Sequence, residues 1–409
     1  MKLKTLFLFV LFVSLCTKIH ALTWQEVMDI AKKNNPVVIR AEKELKTARL
    51  SYHSSYTNFL PQISGSVSQS ASEAETKKYS YGLSGQLSLF AGFRDWSALN
   101  ERHLELKIAE ENYRRTLSDA IHNLKAAFAE LLKSQEQVIL TKEILYKREN
   151  NYDMIRLKYE AGREDKGSYL RTEADKQQAE YDFFRAERDL RAAQRNLMKE
   201  TGRQDMGDIK ASGDFSVSFS TNIPDFSRSA RKTPEHIVSE LLVKKTGFRI
   251  MYARGGYYPE ISVSGNVSRS GDSWLPETEK WSTSLALSYS FFNRGKGLFD
   301  ISIEKLNREA MEEALKNTYL KKIAEIESSY YSYIDAIENL KVRQKYLEAS
   351  AEQSKIITER YINGLVSYQS WYYVENDYIN AQKALLEAKK NLAIAESKLK
   401  NVMGSAGWE

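Results

Sequence analysis

The sequence predicts a mainly α-helical chain that contributes strands to a membrane β-barrel, written as a tandem repeat of helix, β-hairpin, long helix, helix. Three observations predict it. The 409-residue chain is self-similar, it holds two pairs of roughly ten-residue segments that alternate apolar with small hydroxylated residues, and two runs of more than sixty residues contain neither proline nor glycine.

The repeat sets the organisation. Tyr159-Glu160-Ala161-Gly162 aligns with Tyr361-Ile362-Asn363-Gly364 at an offset of 202, and the register continues without a gap. Glu173 meets Glu375, Asp175 meets Asp377, Ala179 meets Ala381, Ala186 meets Ala388, Leu197 meets Leu399 and Gly202 meets Gly404. Upstream, Pro36 pairs with Pro234 and Leu60-Pro61-Gln62-Ile63-Ser64 with Tyr258-Pro259-Glu260-Ile261-Ser262 at an offset of 198. The four-residue difference falls in the longer turn from Asp272 to Glu279. A unit copied in tandem usually buries its faces against its copy, so the repeats belong to one architecture. The expected organisation is residues 22–202 as the first repeat, 203–232 as a Gly-, Ser- and Pro-bearing linker with some irregular or strand structure, 233–404 as the second repeat and 405–409 as a tail.

At the N-terminus, Lys2 and Lys4 precede the apolar run Leu6 to Leu15, and Ala21 supplies a small residue at the cleavage position. Residues 1–21 therefore read as a secretory signal peptide. Cys16 closes Val13-Ser14-Leu15-Cys16 like a lipoprotein box, which makes it a possible lipidation site and the alternative mature N-terminus. It is the sole cysteine, so no internal disulfide can form; export without disulfides points to a bacterial envelope. Past the signal no stretch approaches the ~18 consecutive apolar residues that a membrane helix needs, and the mean hydropathy is −0.52. Any crossing must be by strands. The 60 basic and 54 acidic residues interleave along helical stretches as a solvated face does, which gives no argument for nucleic acid.

Leu22 to Asn58 reads as helix broken at Asn35-Pro36, with Pro36 suited to a first helical position. The period then changes to two. Ile63, Gly65 and Val67 alternate with serines, and Tyr79, Tyr81, Leu83, Leu87 and Leu89 return against Ser80, Gly82, Ser84, Gln86 and Ser88. The second hairpin repeats this with Ile261, Val263 and Val267 outward and Trp281, Thr283, Leu285, Leu287, Tyr289 and Phe291 on the return. The expected strands are 62–70, 79–90, 261–270 and 280–292, each long enough to cross a bilayer when tilted. Four strands cannot close a barrel, and an open sheet edge in lipid leaves unpaired backbone groups at several kcal/mol each. The chain must therefore oligomerise, and sequence physics alone allows two, three or more copies.

Each uninterrupted run, Phe93–Tyr159 and Leu298–Tyr361, would make a rod of roughly 100 Å at 1.5 Å per residue. Leu117, Ile121, Leu124, Phe128 and Leu131, and in the copy Tyr319, Ile323, Ile326, Tyr330 and Tyr333, follow the spacing of a coiled-coil seam. The last helix of each repeat alternates alanine with larger residues along its seam, which lets neighbouring backbones approach closely.

Taken in order and with their duplication, these segments resemble the TolC-type outer-membrane efflux proteins. The resemblance rests on Leu22-Thr23-Trp24-Gln25-Glu26-Val27, Lys33-Asn34-Asn35-Pro36, Leu60-Pro61-Gln62-Ile63, Leu87-Ser88-Leu89-Phe90-Ala91-Gly92 and the Tyr-x-x-Gly segments at Tyr159 and Tyr361. It covers nearly the whole mature chain. It implies a homotrimer whose chains build one twelve-stranded outer-membrane barrel, continued by a long α-helical barrel in the periplasm. It also implies a duct of a tripartite efflux or type I secretion system, with a periplasmic adaptor (membrane fusion) protein and an inner-membrane transporter as partners and outer-membrane lipid around the strands. Serine-rich strand faces would line the lumen, and the turns Glu73–Lys78 and Asp272–Lys280 would lie outside the cell.

The helix-to-helix turns Ala161-Gly162-Arg163 and Asn363-Gly364-Leu365 correspond to the family's periplasmic tips and are the candidate adaptor contacts. Tyr361 stands at the position of a gating tyrosine. Val366 occupies the position of an arginine, and Ser370 and Tyr373 those of a pore-narrowing aspartate ring. A closure by Tyr361 with Tyr373 is expected, with Glu173, Glu375, Asp175 and Asp377 as nearby acidic candidates whose ordinary role would be solvated or intersubunit-paired carboxylates.

Catalysis has no constellation to rest on. His53, His103, His122 and His236 stand isolated on helical stretches, and Arg294-Gly295-Lys296-Gly297 lacks the phosphate-loop pattern, so neither a metal nor a cofactor is expected. The competing reading is a periplasmic coiled-coil adaptor or structural envelope protein, which would come off membranes without detergent.

Overall fold

In the computed structural model, residues 21–72, 75–204, 209–215 and 222–405 are described. The expected signal peptide up to residue 20, Cys16 within it, and most of the C-terminal tail lie outside them. In chain order the elements are β1 (Ala21–Leu22), α1 (Trp24–Asn34), α2 (Pro36–Ser55), β2 (Gln62–Ser72), β3 (Glu75–Ala91), α3 (Arg94–Glu160), α4 (Lys166–Thr201), β4 (Lys210–Ala211), α5 (Phe226–Arg231), α6 (Pro234–Arg254), β5 (Glu260–Gly271), β6 (Glu279–Ser288), α7 (Lys296–Ile362) and α8 (Tyr368–Val402).

Local chemistry fixes the boundaries. Thr23 caps α1 in a capping box with Glu26, and Asn35 ends that helix before Pro36 starts the next. Thr233 caps α6 with Pro234 at its first position. α3 and α7 are both 67 residues long, about 100 Å of helix each.

Strands β2-β3-β5-β6 form one antiparallel sheet in that order, so β2 and β6 carry its edges. β3 starts at Glu75, which leaves Glu75 to Lys78 in the strand and shortens the expected first turn. The second turn likewise ends at Thr278, because β6 starts at Glu279. At the other end β6 stops at Ser288 and not at 292: Ser288 pairs with Glu260, the first residue of β5, and Pro259 before it has no N–H to extend the ladder. Tyr289, Phe291 and Phe292 therefore run on unpaired. The expected linker holds a short strand and also a short helix. β4 pairs in parallel with β1, and Asp225 caps the short helix α5.

The chain divides into two compact units. The first comprises residues 1–35, 124–216 and 339–393, and the second 36–123, 217–338 and 394–409. In the first, Trp24 packs on Phe128 with Lys125 over its indole ring, while Asn35 donates to the Glu200 carbonyl at 2.7 Å. In the second, Ala230, Ile326 and Val402 form a cluster with Phe226 and Tyr319, which ties α5 to α7 and α8. The seam alanines Ala179, Ala186 and Ala193 are buried, as are Leu124, Leu131, Ile326 and Leu399.

Candidate functional site

The four-stranded sheet and the helix-to-helix turns are two places where this chain departs from plain helical packing. On the sheet, Leu83 faces Val267, Leu87 faces Val263 and Val263 faces Leu285, while Ser84–Asn266, Ser64–Ser84 and Ser264–Ser284 share the opposite face. The apolar members stand in solvent within one chain: Ile63 and Val67 are each 69% exposed and Leu285 71%. Ile261 to Ser270 covers about 33 Å of strand, or about 25 Å of depth at a tilt of about 40°, the height of a membrane-barrel apolar band. Aromatic residues bracket it. Tyr79, Tyr81 and Trp274 pack together at the hairpin end, and Phe90, Phe93 and Tyr258 at the helix end.

The turns are built alike. After α3, the N–H of Gly162 donates to the Tyr159 carbonyl and that of Arg163 to Lys158; after α7, Gly364 donates to Tyr361 and Leu365 to Arg360. Gly162 (φ 69°) and Gly364 (φ 73°) take the left-handed conformation that such a helix end requires. Among the described residues nothing approaches within 4 Å of a Cβ built at either glycine, and Ala161, Arg163, Asn363 and Leu365 are exposed beside them. The expected contact residues thus stand open at both turns.

Behind these turns sits a dense aromatic cluster. Tyr361 is 2% exposed and its ring stacks on Trp371 with centroids 4.8 Å apart and 11° between planes. Its hydroxyl donates to Glu164 Oε1 at 2.7 Å, so the end of α7 is tied to the turn after α3. Lys158 Nζ lies 3.7 Å from the Tyr361 ring centroid and donates to its carbonyl at 3.3 Å. Burial, then the Glu164 carboxylate, pushes the Tyr361 phenol well above its ordinary range, and burial pulls the Lys158 ammonium down. The neutral phenol is the form this arrangement selects. A cavity of about 740 Å³ opens beside it, lined by Lys158, Glu164, Ser168, Tyr361 and Tyr368 among others.

The acidic candidates are not gathered in one place. Glu375 is buried, accepts from the Ser354 and Thr358 hydroxyls and forms no ion pair among the described residues. Thr358 in turn accepts from the Trp371 indole N–H at 3.1 Å, so Glu375 braces the indole that carries Tyr361. This corrects the expectation of a solvated or intersubunit-paired carboxylate: two hydroxyl donors from α7 satisfy it within the chain. Asp175 pairs with Arg171 at 3.5 Å, Glu173 is half-buried and Asp377 is exposed. Tyr373 also departs from expectation. It is 58% exposed and packs on Tyr372, because the inward position beside Tyr361 is filled by Trp371. Ser370 is exposed and its hydroxyl lies 3.1 Å from that of Ser367 at the start of α8.

Sequence reasoning missed Glu164, Lys158 and Trp371. The repeat held one signal: Glu164 aligns with Val366 at the offset of 202, so the charge absent from one turn stands in the other.

Residues 27–203 and 238–405 match the family model for outer membrane efflux proteins. The chain belongs to that family. Its fold is that of solved outer-membrane efflux channels. The Campylobacter jejuni CmeC outer membrane channel superposes with a TM-score of 0.83 at 17% identity, covering 93% of this chain and 85% of that one. The Neisseria gonorrhoeae MtrE outer membrane channel, solved in its open state, gives 0.81 at 20% identity, with 93% and 88% covered. By sequence, the Toxin and drug export protein A of Aggregatibacter actinomycetemcomitans is 22% identical over 143 residues, 34% of this chain. That match spans 31% of the relative's length. As a member of the family, the chain is an outer-membrane protein of efflux, with its strands in the bilayer and its helices on the periplasmic side. Among the described residues, no helix is long and apolar enough to cross a membrane.

Proposed function

We propose that three copies of this chain close a twelve-stranded barrel and act as the outer-membrane duct of a tripartite efflux or type I secretion system. The observation that carries this reading is the four-stranded sheet, apolar on one face and hydroxylated on the other, with unpaired edges at β2 and β6. In lipid those edges require partners, and three four-stranded sheets supply twelve strands. Phe291, Phe292 and Phe299, 91%, 81% and 72% exposed in the single chain, lie next to the β6 edge where a neighbouring copy would cover them. The test is the detergent-corrected mass of the membrane-extracted protein by light scattering. A mass of three chains is expected; a monomer released without detergent would leave only a periplasmic coiled-coil protein.

In this duct the cluster around Tyr361 is the gate. The Tyr361–Glu164 hydrogen bond holds the two turns of one protomer together, the stack on Trp371 sets the ring that makes it, and opening requires the hydrogen bond to break. Tyr373 and Ser370, exposed at the start of α8 with Asp377 exposed further along it, line the constriction in this reading, and the closure is aromatic rather than acidic because Glu375 is buried. Glu375→Gln is accordingly expected to leave the response of single-channel current to divalent cations unchanged. A strong divalent block that this substitution relieves would establish an acidic constriction instead.

The turns at Gly162 and Gly364 dock the periplasmic adaptor, which hands over cargo from the inner-membrane transporter. Open space around both glycines lets another chain reach the backbone. Gly364→Asn keeps a residue that tolerates the left-handed conformation and should preserve export; Gly364→Trp should abolish it at unchanged oligomer mass. Normal export by Gly364→Trp would remove the docking site from this turn.

A further inference from the structure

A cavity of about 470 Å³ lies where the sheet passes into the helices of the second unit, lined by Phe90, Phe93, Trp96 and Met251 with Asp95 and Arg254. Its β wall belongs to the apolar face, since Phe90 pairs with Ile261 one step beyond Leu87 and Val263. Left-handed backbone at Gly92 and Phe93 turns the chain from β3 into α3 there. The turn leaves Phe93 half exposed, edge-on to both Phe90 and Tyr258 at 5.2 and 5.3 Å.

The strand wall of the site is β3, a central strand, whereas a neighbouring copy reaches the sheet through β2 and β6. Its apolar wall is continuous with the face that meets lipid, and its place at the helix end of the strands puts it at the periplasmic leaflet. Two charges stand at this apolar cavity without neutralising each other: Arg254 is exposed, and neither it nor Asp95 forms an ion pair among the described residues. A volume in this range suits a bound small molecule.

We infer that this cavity is a site for one zwitterionic phospholipid of the periplasmic leaflet. The acyl chain lies against Phe90, Phe93 and Trp96, Arg254 donates to the phosphate, and the Asp95 carboxylate receives the ammonium of the headgroup. A single anionic headgroup would meet Arg254 but leave Asp95 opposed to its charge, so phosphatidylethanolamine is preferred over phosphatidylglycerol.

This inference rests on the outer-membrane duct reading, and its test separates the two. The full-length protein, extracted and washed free of lipid in dodecyl maltoside, is titrated with phosphatidylethanolamine or phosphatidylglycerol and bound lipids are counted by native mass spectrometry. One phosphatidylethanolamine per protomer is expected. Arg254→Ala should weaken both lipids by about tenfold, Asp95→Asn should erase the preference between them, and Met251→Trp should fill the cavity and remove the bound lipid. Equal uptake by wild type, Met251→Trp and Arg254→Ala, at equal oligomer mass, overturns the site and leaves the duct standing. Release of the protein from the envelope without detergent would overturn the duct first, and the site with it.

Discussion

Replacing Gly202 by alanine is expected to cost at least about 2 kcal/mol and to lower the thermal midpoint and yield of the assembled protein sharply. Gly202 ends α4 at φ 74°, which by itself penalises any side chain by about 1–2 kcal/mol. An added Cβ would also lie 2.5 Å from the Asn34 carbonyl carbon and 3.0 Å from the Asn35 Cα. Those are backbone atoms held in place by the hydrogen bond from Asn35 to Glu200, so the clash cannot be relieved by a rotamer change. The control is Gly162→Ala. Its φ is 69° but nothing among the described residues lies within 4 Å, so only the conformational cost of about 1–2 kcal/mol applies. Equal unfolding midpoints for the two variants would show that packing against Asn34 contributes nothing.

Removing the Tyr361 ring is expected to open the gate. Tyr361→Ala deletes a buried aromatic side chain, which costs about 3 kcal/mol or more where the site cannot collapse. If the stack on Trp371 exists only in the closed state, the closed-to-open ratio falls by about two orders of magnitude. Tyr361→Phe keeps the stack and loses only the hydrogen bond to Glu164, about 1 kcal/mol or roughly a fivefold shift. Single-channel recording in planar bilayers should therefore rank the open fraction Ala above Phe above wild type. Wild-type conductance from a correctly assembled Tyr361→Ala protein would place the gate elsewhere. The pH dependence has a definite sign. Burial raises the phenol's proton affinity in the closed state, so the latch is at full strength below about pH 10 and weakens as pH rises beyond it.

Much of this was legible in one sequence because it depends on local rules. The 202-residue offset, the missing prolines and glycines and the serine alternation report helix length, strand face and duplication directly. Pro36, Pro234, Gly162 and Gly364 mark element ends because their backbone preferences are intrinsic. The reach of β6 was not legible. Its run of aromatic residues satisfies strand propensity as far as residue 292, but pairing stops at Ser288 where the partner strand begins after Pro259.

The candidate gate divides in the same way. The sequence by itself determined the fold class, the apolar side of each strand and the two turns, all of which follow from periodicity, propensity and the repeat, while Tyr361 was singled out by the resemblance to the efflux family. Only the tertiary structure decided which side chains meet that tyrosine. Glu164 lies 197 positions from Tyr361 in the chain, and Trp371 rather than Tyr373 takes the stack because the start of α8 turns Trp371 inward against Ile155 and leaves Tyr373 outside. Contacts across that separation depend on how helices are set against one another, and no pattern of period two or 3.6 encodes that.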